Sequence, residues 1–309
     1  MNRYEELSAF VGVVEHGGFS SAAERMGSAK SAISRRVGDL EARLGVRLLN
    51  RTTRRLSLTD AGRVLHERAL RILADWEEAE QMVSADSTQL SGRLKIAAPL
   101  SFGIRYLGPV VAGFAKAHPD VQMEVDLGDR EADLVEEGFD LAIRIGELAD
   151  STLVARRLNT VDMVCVASTA YLDTHDRPEA PEELNRHQGL RYTHAKRGAT
   201  WRFRDRDGRV HQARPRTVLA ANNGDHIAQA CEAGLGVAML PLFIAHHGIR
   251  SGTLERVLTD YRLDAVGMYL VYPPGRYSSR RVQVFSGHMV DHFREKPPWE
   301  DCPGVKEGS

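Results

Sequence analysis

The chain has 309 residues, with 41 Lys and Arg against 42 Asp and Glu and a formal net charge of -1. That length gives room for two domains and a sizeable core. Three cysteines far apart (Cys165, Cys231, Cys302) argue against a disulfide framework, and no apolar run approaches the ~20 residues needed to span a bilayer. The opening MNRYEELSAF reads as an amphipathic helix rather than a secretory signal, so a cytoplasmic protein without a membrane partner is expected.

The overall balance hides a local asymmetry. Between Arg25 and Arg55 stand nine Lys or Arg against Asp39 and Glu41, a net of +7 in a chain that is otherwise acidic. Such a segment is an electrostatic footprint for a polyanion. Leu7, Phe10, Val11 and Val14 precede it at i, i+3, i+4 and i+7, one stripe of an amphipathic helix ended by Gly17-Gly18. Ser21-Ala22-Ala23-Glu24 has capping-box spacing and predicts a second helix starting near Ser21, broken by Gly27-Ser28. Ile33, Val37, Leu40 and Leu44 predict a third, with Gly45 placed to end it.

At about 100° per residue the face opposite that third stripe carries Ser31, Arg35, Gly38 and Ala42, with Ser34 beside it. Small side chains let a helix sink into a major groove, where hydroxyls and a guanidinium reach base edges. Arg36 falls nearer the core edge, the position of a phosphate contact. A solvated basic face on an ordinary helical domain is the plainer reading. Leu48 to Leu58 then alternates as a hairpin, Leu56 and Leu58 inward, with Thr52-Thr53 near a tip crowded by Arg51, Arg54 and Arg55. Such a tip touches phosphates or enters the minor groove, or else serves as a charged edge against aggregation.

Taken in order, these residues resemble the LysR-type transcriptional regulators. The pattern is carried by Phe19, Ala22-Ala23, Met26, Ala32-Ile33-Ser34, Leu40-Glu41, Leu44-Gly45, Arg51 with Arg54-Arg55, and Leu58-Thr59-Asp60-Ala61-Gly62. Ala29-Lys30 stands where many members have Ser-Gln. Lysine only donates hydrogen bonds, so it addresses a guanine or a phosphate rather than pairing with adenine. The resemblance implies double-stranded DNA as partner, with contacts from Ser20, Ser21, Lys30, Ser31, Ser34, Arg35, Arg36, Arg51, Thr52, Arg54 and Arg55.

After Thr59, a predicted N-cap, Leu65, Ala69, Ile72, Trp76, Ala79 and Val83 recur at alternating steps of four and three. Such a seam packs on its own domain or pairs with a second copy of the helix. The resemblance favours pairing, since members form dimers and often tetramers. Ser84 to Gly92 is small and polar, a plausible hinge.

From Arg93 strands and helices alternate, which predicts an α/β domain with largely parallel sheets. Strands are expected at 94–98, 121–127, 140–144, 163–167, 236–240 and 268–272, and helices at 104–117, 225–233 and 279–294, with a loop over 99–103. The resemblance implies two α/β subdomains around a cleft, like periplasmic solute-binding proteins, with the chain crossing out near Ala167 and returning near Asp264. Ligands in such folds sit at strand ends and helix N-termini. On that basis Ser101, Phe102, Asp129, Arg144, Gly146, Asn222 and Asn223 are effector-site candidates, for a small organic effector of anionic or aromatic character. Each has a structural alternative: capping for Ser101 and Asn223, an ion pair for Arg144, core packing for Phe102, Trp201 and Phe203.

The expected fold class is mixed. An all-α winged helix-turn-helix (1–60, the helix-turn-helix over about 19–38) leads into a dimerising coiled-coil linker helix and hinge (61–90). An effector-binding α/β domain (91–295) of two periplasmic-binding-protein-like subdomains follows, then a flexible tail (296–309). No P-loop, GxGxxG or nucleophile elbow is present, and His288 and His292 at i, i+4 lack further metal ligands nearby. No cofactor, metal or catalytic residue is expected. A ligand-responsive, DNA-binding regulator is the expected function; an enzyme or solute-binding module on a nucleic-acid tether is the competing one.

Overall fold

The computed structural model describes residues 2–51, 56–83, 90–148, 153–194 and 200–294, together with Pro297 and Trp299. It divides into two compact units, Met1–Arg93 and Leu94–Ser309.

In the first unit, helices α1 (Arg3–Glu15), α2 (Phe19–Arg25) and α3 (Lys30–Leu44) precede a hairpin of β1 (Leu49–Arg51) and β2 (Leu56–Leu58), then the long helix α4 (Asp60–Val83). Their shared core includes Phe10, Val13, Ala22, Ile33, Val37, Leu40, Leu48 and Ala69. Burying each large member contributes about 1.5–3 kcal/mol. Helix α1 is enclosed more fully than one stripe foretells, because Ala9 and Val13 are buried as well as Phe10 and Val11. Its Glu6 is buried too, and accepts from Nη2 of Arg43 on α3 at 2.8 Å.

Helix α2 starts at Phe19, two residues before the capping box predicts, with Gly18 at its N-cap and no capping side chain. Ser21 therefore lies inside the first turn, its side chain exposed. Helix α3 ends at Gly45, whose φ of 69° is left-handed backbone natural to glycine. Leu44 is 41% exposed, so the buried stripe stops at Leu40.

The junction of hairpin and α4 is closed by local hydrogen bonds. Glu41 Oε1 accepts from the backbone N–H of Leu48 at 2.8 Å and of Leu49 at 3.1 Å. Thr59 Oγ1 accepts from Gly62 N at 2.9 Å, the N-cap bond expected of it, and donates to the Arg47 carbonyl at 2.7 Å. Gly62 has no room for a side chain, since a Cβ there would collide with the Leu48 carbonyl oxygen.

The predicted seam of α4 divides. Leu65 and Ala69 pack on the unit's own core, joined by Leu70 and Leu73. Val64, Ile72 and Trp76 are 65%, 54% and 53% exposed and form a separate apolar stripe at helical spacing. The side chains of Ala79 and Val83, and residues 84–89 of the expected hinge, lie outside the described residues.

The second unit is built on two five-stranded sheets. Along the chain come β3 (Gly92–Ala98), a helical turn α5 (Leu100–Phe102), a π turn (Gly103–Leu107), α6 (Gly108–Ala117), β4 (Val121–Leu127), β5 (Leu141–Gly146) and β6 (Val154–Val161). Next are β7 (Met163–Ser168), α7 (Thr169–Leu172), β8 (Gln188–Tyr192), β9 (Trp201–Arg204), β10 (Val210–Ala213), β11 (Arg216–Ala221) and α8 (Gly224–Glu232). Last are β12 (Val237–Pro241), α9 (Leu242–Ser251), β13 (Leu254–Arg256), β14 (Arg262–Leu263), β15 (Val266–Tyr272) and α10 (Arg280–Arg294). The first sheet has the order β4-β3-β5-β15-β6 and the second β11-β8-β12-β7-β13; β10-β9-β14 is a small third. Each large sheet, with its helices, is one lobe.

The sheets are mixed rather than largely parallel. Strand β15 runs antiparallel to both β5 and β6, and β7 antiparallel to both β12 and β13, whereas β3/β5, β8/β11 and β8/β12 are parallel. A strand's alternation says which face it buries but not which way its neighbours run. The chain leaves the first lobe at Asp162, between β6 and β7, five residues before the expected crossing; Ala167 is already inside the second sheet. It returns between β14 and β15, at Asp264 as expected. The expected loop at 99–103 is instead a helical turn entered from Pro99.

Replacing Gly62 by Ala is expected to lower the stability of the first unit by about 1–3 kcal/mol, because the clash is with backbone that cannot give way. Gly38→Ala, on the open side of α3 where a Cβ meets nothing, is expected to hold or raise stability by up to ~1 kcal/mol through helix propensity. Paired thermal melts of the two variants check the contrast.

Candidate nucleic-acid interface and ligand cleft

Burial of Ile33, Val37 and Leu40 turns the opposite face of α3 outward. Lys30, Ser31, Arg35 and Ala42 are exposed, Ser34 and Gly38 half-buried, and Ser20 and Ser21 on α2 exposed beside them. Arg36 pairs with Glu5 on α1 at 2.7 Å, both groups partly in water. Such a pair contributes about 0–1 kcal/mol, so a phosphate can compete for the guanidinium. Thr52, Arg54 and Arg55 of the hairpin tip, and the side chain of Arg51, lie outside the described residues. Ala29 lends α3 no capping side chain.

In the second unit the two lobes meet through polar side chains at strand ends. Asn223 caps α8, accepting from His226 N at 3.0 Å. Its Nδ2 reaches across to Asp129 of the first lobe at 2.9 Å and stands 3.5 Å from Ser101 Oγ. Asp129 Oδ1 accepts from the Leu100 backbone N–H at 3.1 Å. Three of the seven sequence candidates thus converge, from α5, the end of β4 and the start of α8. Tyr192, at the end of β8, joins them: burial, reinforced by the charge of Asp129, pushes its phenol up to about 12. Nothing in the periodicity marks Tyr192, since a strand-terminal tyrosine reads as packing.

The other candidates fall elsewhere. Arg144 is engaged by Glu131 at 2.8 Å and donates to the Ala132 carbonyl at 3.1 Å, the structural ion pair that its sequence neighbours allow. Phe102 is fully buried among Tyr106, Phe243, Phe293 and Trp299, so its ring is core rather than cleft wall. Gly146 ends β5 with φ 148° and pairs in register with Gly267. Asn222 is exposed. Trp201 and Phe203 belong to a buried cluster with Tyr171 and Leu184.

Two further cross-lobe contacts escaped the sequence reading. Arg105 Nη2 meets Asp225 Oδ1 at 2.6 Å, and the Tyr106 hydroxyl donates to the Phe243 carbonyl at 2.9 Å. Burial raises the Tyr106 phenol to about 12, so it stays protonated and able to donate. Cys165 and Cys231 are buried free thiols, and burial pushes the Cys231 thiol up to about 12, which suppresses the reactive thiolate. His288 Nε2 lies 3.1 Å from the Val110 carbonyl, a packing contact between α10 and α6.

Comparison with known proteins matches these two units to two models. Residues 4–63 match the bacterial regulatory helix-turn-helix protein, lysR family, and residues 87–294 match the LysR substrate binding domain. The chain belongs to the LysR family. Among curated relatives, the HTH-type transcriptional regulator PtxR of Pseudomonas aeruginosa is 38% identical, the match covering 94% of this chain and 93% of that protein. CrgA of Neisseria meningitidis is 35% identical, over 94% of this chain and 96% of the other. Among solved structures, CrgA superposes with a TM-score of 0.60 at 34% identity, covering 94% of this chain and 98% of that one. Full-length AphB, the virulence activator of Vibrio cholerae, gives 0.59 at 28%, covering 94% and 99%.

This LysR-type transcriptional regulator therefore couples a helix-turn-helix DNA-binding unit to an effector-binding one. LysR regulators bind DNA and an effector and are oligomeric. No helix among the described residues is long and apolar enough to cross a membrane.

The bond between Asn223 and Asp129 can be separated from the capping role of Asn223. Aspartate caps a helix as well as asparagine does, so a pure cap predicts that Asn223→Asp is neutral. With the cross-lobe bond, Asn223→Asp sets two carboxylates together and is expected to cost about 1–2 kcal/mol at pH 7. Repulsion raises the carboxyl pKa of such a pair, so the deficit shrinks as the pH falls toward 5. Calorimetric melting across that range measures it.

Proposed function

We propose that this regulator works as a dimer, or a pair of dimers, that grips an inverted-repeat operator with two copies of α3 and is switched by a small molecule bound between the lobes of its second unit. One observation carries the DNA half of this reading: the apolar face of α3 is buried while its small, hydroxylated and basic face is exposed in a segment of net charge +7. Arg35, Ser31 and Ser34 read base edges. Lys30, Arg36, Ser20 and Ser21 hold phosphates, joined by Arg51, Thr52, Arg54 and Arg55 of the hairpin. The work is binding rather than catalysis, in keeping with a family of regulators, and it takes place in the cytoplasm beside the DNA.

The exposed stripe Val64, Ile72 and Trp76 supports pairing through α4. Large apolar side chains at this exposure on one helix face favour a partner. Pairing along this stripe leaves Leu65 and Ala69 in the core of their own unit, so of the spacing read in the sequence Ile72 and Trp76 serve the dimer, with Val64 joining them in place of Leu65.

Within the cleft, Ser101, Asp129 and Asn223, with Tyr192 behind them, contact the effector. With Arg144 held by Glu131, the charge at this convergence among the described residues is the carboxylate of Asp129. An effector that offers hydrogen-bond donors fits it better than one that brings only a second carboxylate. By preferring one separation of the lobes over another, the effector shifts the population of arrangements the oligomer adopts on DNA.

Binding to the DNA upstream of the gene, measured at several salt concentrations against a scrambled duplex, tests the reading. Two protected half-sites are expected, and equal retention on the scrambled duplex would contradict it. Arg35→Ala is expected to remove about 1–3 kcal/mol of preference among sites, while Arg54→Ala weakens all sequences alike and reduces the salt slope by about 1. Uniform losses from both variants would mean that Arg35 does not face the bases.

A further inference from the structure

Composition marks residues 296–309 as a loose tail, polar and proline-bearing, yet Pro297 and Trp299 are buried. Trp299 is 1% exposed. Its indole meets the Tyr106 ring edge-on at 4.5 Å between centroids, Phe243 at 5.9 Å and Phe102 at 6.3 Å, and lies tilted over Phe293 at 6.2 Å. These neighbours come from both lobes. Phe102 and Tyr106 stand on α5 and the π turn of the first lobe, and Phe243 is the second residue of α9 in the second. The Tyr106 hydroxyl bonds to the Phe243 carbonyl in the same cluster. A tryptophan of a single lobe's core would have its ring neighbours on one side of the junction. This one has them on both.

We propose that Trp299 is a positioning residue: an intramolecular clasp, supplied by the chain beyond α10, that sets the resting separation of the two lobes. Of the other cross-lobe links, Asn223 with Asp129 and Arg105 with Asp225 are polar contacts that water can replace as the lobes part, while Phe243 meets Phe102 and Tyr106 edge-on, each at 6.1 Å. The indole packs on all three of these rings, so any change in the distance from Tyr106 to Phe243 must strip or crush its contacts, and tight aromatic packing does not deform continuously. The clasp therefore favours discrete lobe arrangements over a graded hinge. Its regulatory meaning rests on the effector-cleft reading, whereas the clasp itself does not.

Hydrogen exchange of the full chain, without effector or DNA, separates the two. Trp299→Ala is expected to speed amide exchange at least tenfold at Gly103–Leu107 and at the start of α9, on both sides of the junction, with β3, β5, β8, β12 and the first unit unchanged. Trp299→Phe keeps a smaller ring and is expected to lie between the alanine variant and the parent. If the alanine variant does not fold, the phenylalanine variant decides through the same two segments. Unchanged exchange, a change confined to one lobe, or an equal rise throughout the second unit would each overturn the clasp, and the DNA-binding reading would stand untouched by any of them.

Discussion

The rotation of α3 about its own axis is the constraint on which the DNA-binding unit turns. Three side chains, Ile33, Val37 and Leu40, must leave water, and only one rotation against α1 and α2 lets them do so. Everything chemical on the opposite face follows from that burial. Serines, an arginine and a glycine are turned outward because the core claims their neighbours. The hairpin is held to the same helix by Glu41, which accepts from the first strand, and to α4 by Thr59 and Gly62. Helix, hairpin and linker are thus one mechanical piece, joined by short-range bonds over the core they share.

The second unit solves a different problem. Its two sheets each bury their own core, and on the proposed reading the junction between them holds a small molecule without being so tightly closed that no ligand could alter it. Exchangeable polar contacts suit that need: each is worth about 0.5–1.5 kcal/mol net, comparable to what a bound ligand supplies in return. The aromatic cluster around Tyr106, Phe243 and Trp299 supplies rigidity beside those contacts. A junction with both kinds of contact can rest in one arrangement and still be moved to another.

The legible parts of this fold are those where local physics decides the outcome. Helical phasing located α3, its outward face and its glycine stop, and Thr59 reads as a cap because its hydroxyl serves the nearest free N–H groups. Legibility failed where distant partners decide. Strand β6 was missed because Val154 to Arg157 are exposed and show no alternation, their pairing supplied by β15 more than a hundred residues on. For Arg144 the sequence left a ligand and an ion pair both open, and the fold decided for the pair by bringing Glu131 to it. The α4 seam divided because its first half was needed by the core beneath. Trp299 was lost in an average, since one indole outweighs a dozen polar residues only where a bilobal pocket of rings awaits it. The convergence of Ser101, Asp129 and Asn223 follows from their places at strand ends and helix starts, whereas the placing of Tyr192 and Arg105 depends on the packing of one lobe on the other.

The most direct test of the central claim is thiol footprinting along α3. Single cysteines are placed from position 30 to position 44 in a chain whose Cys302 is serine, and labelling is compared with and without operator DNA. The account predicts protection at 31, 35, 38 and 42, recurring at helical period, with position 44 labelled equally in both states. Protection centred on 44, or spread evenly along the helix, would contradict it.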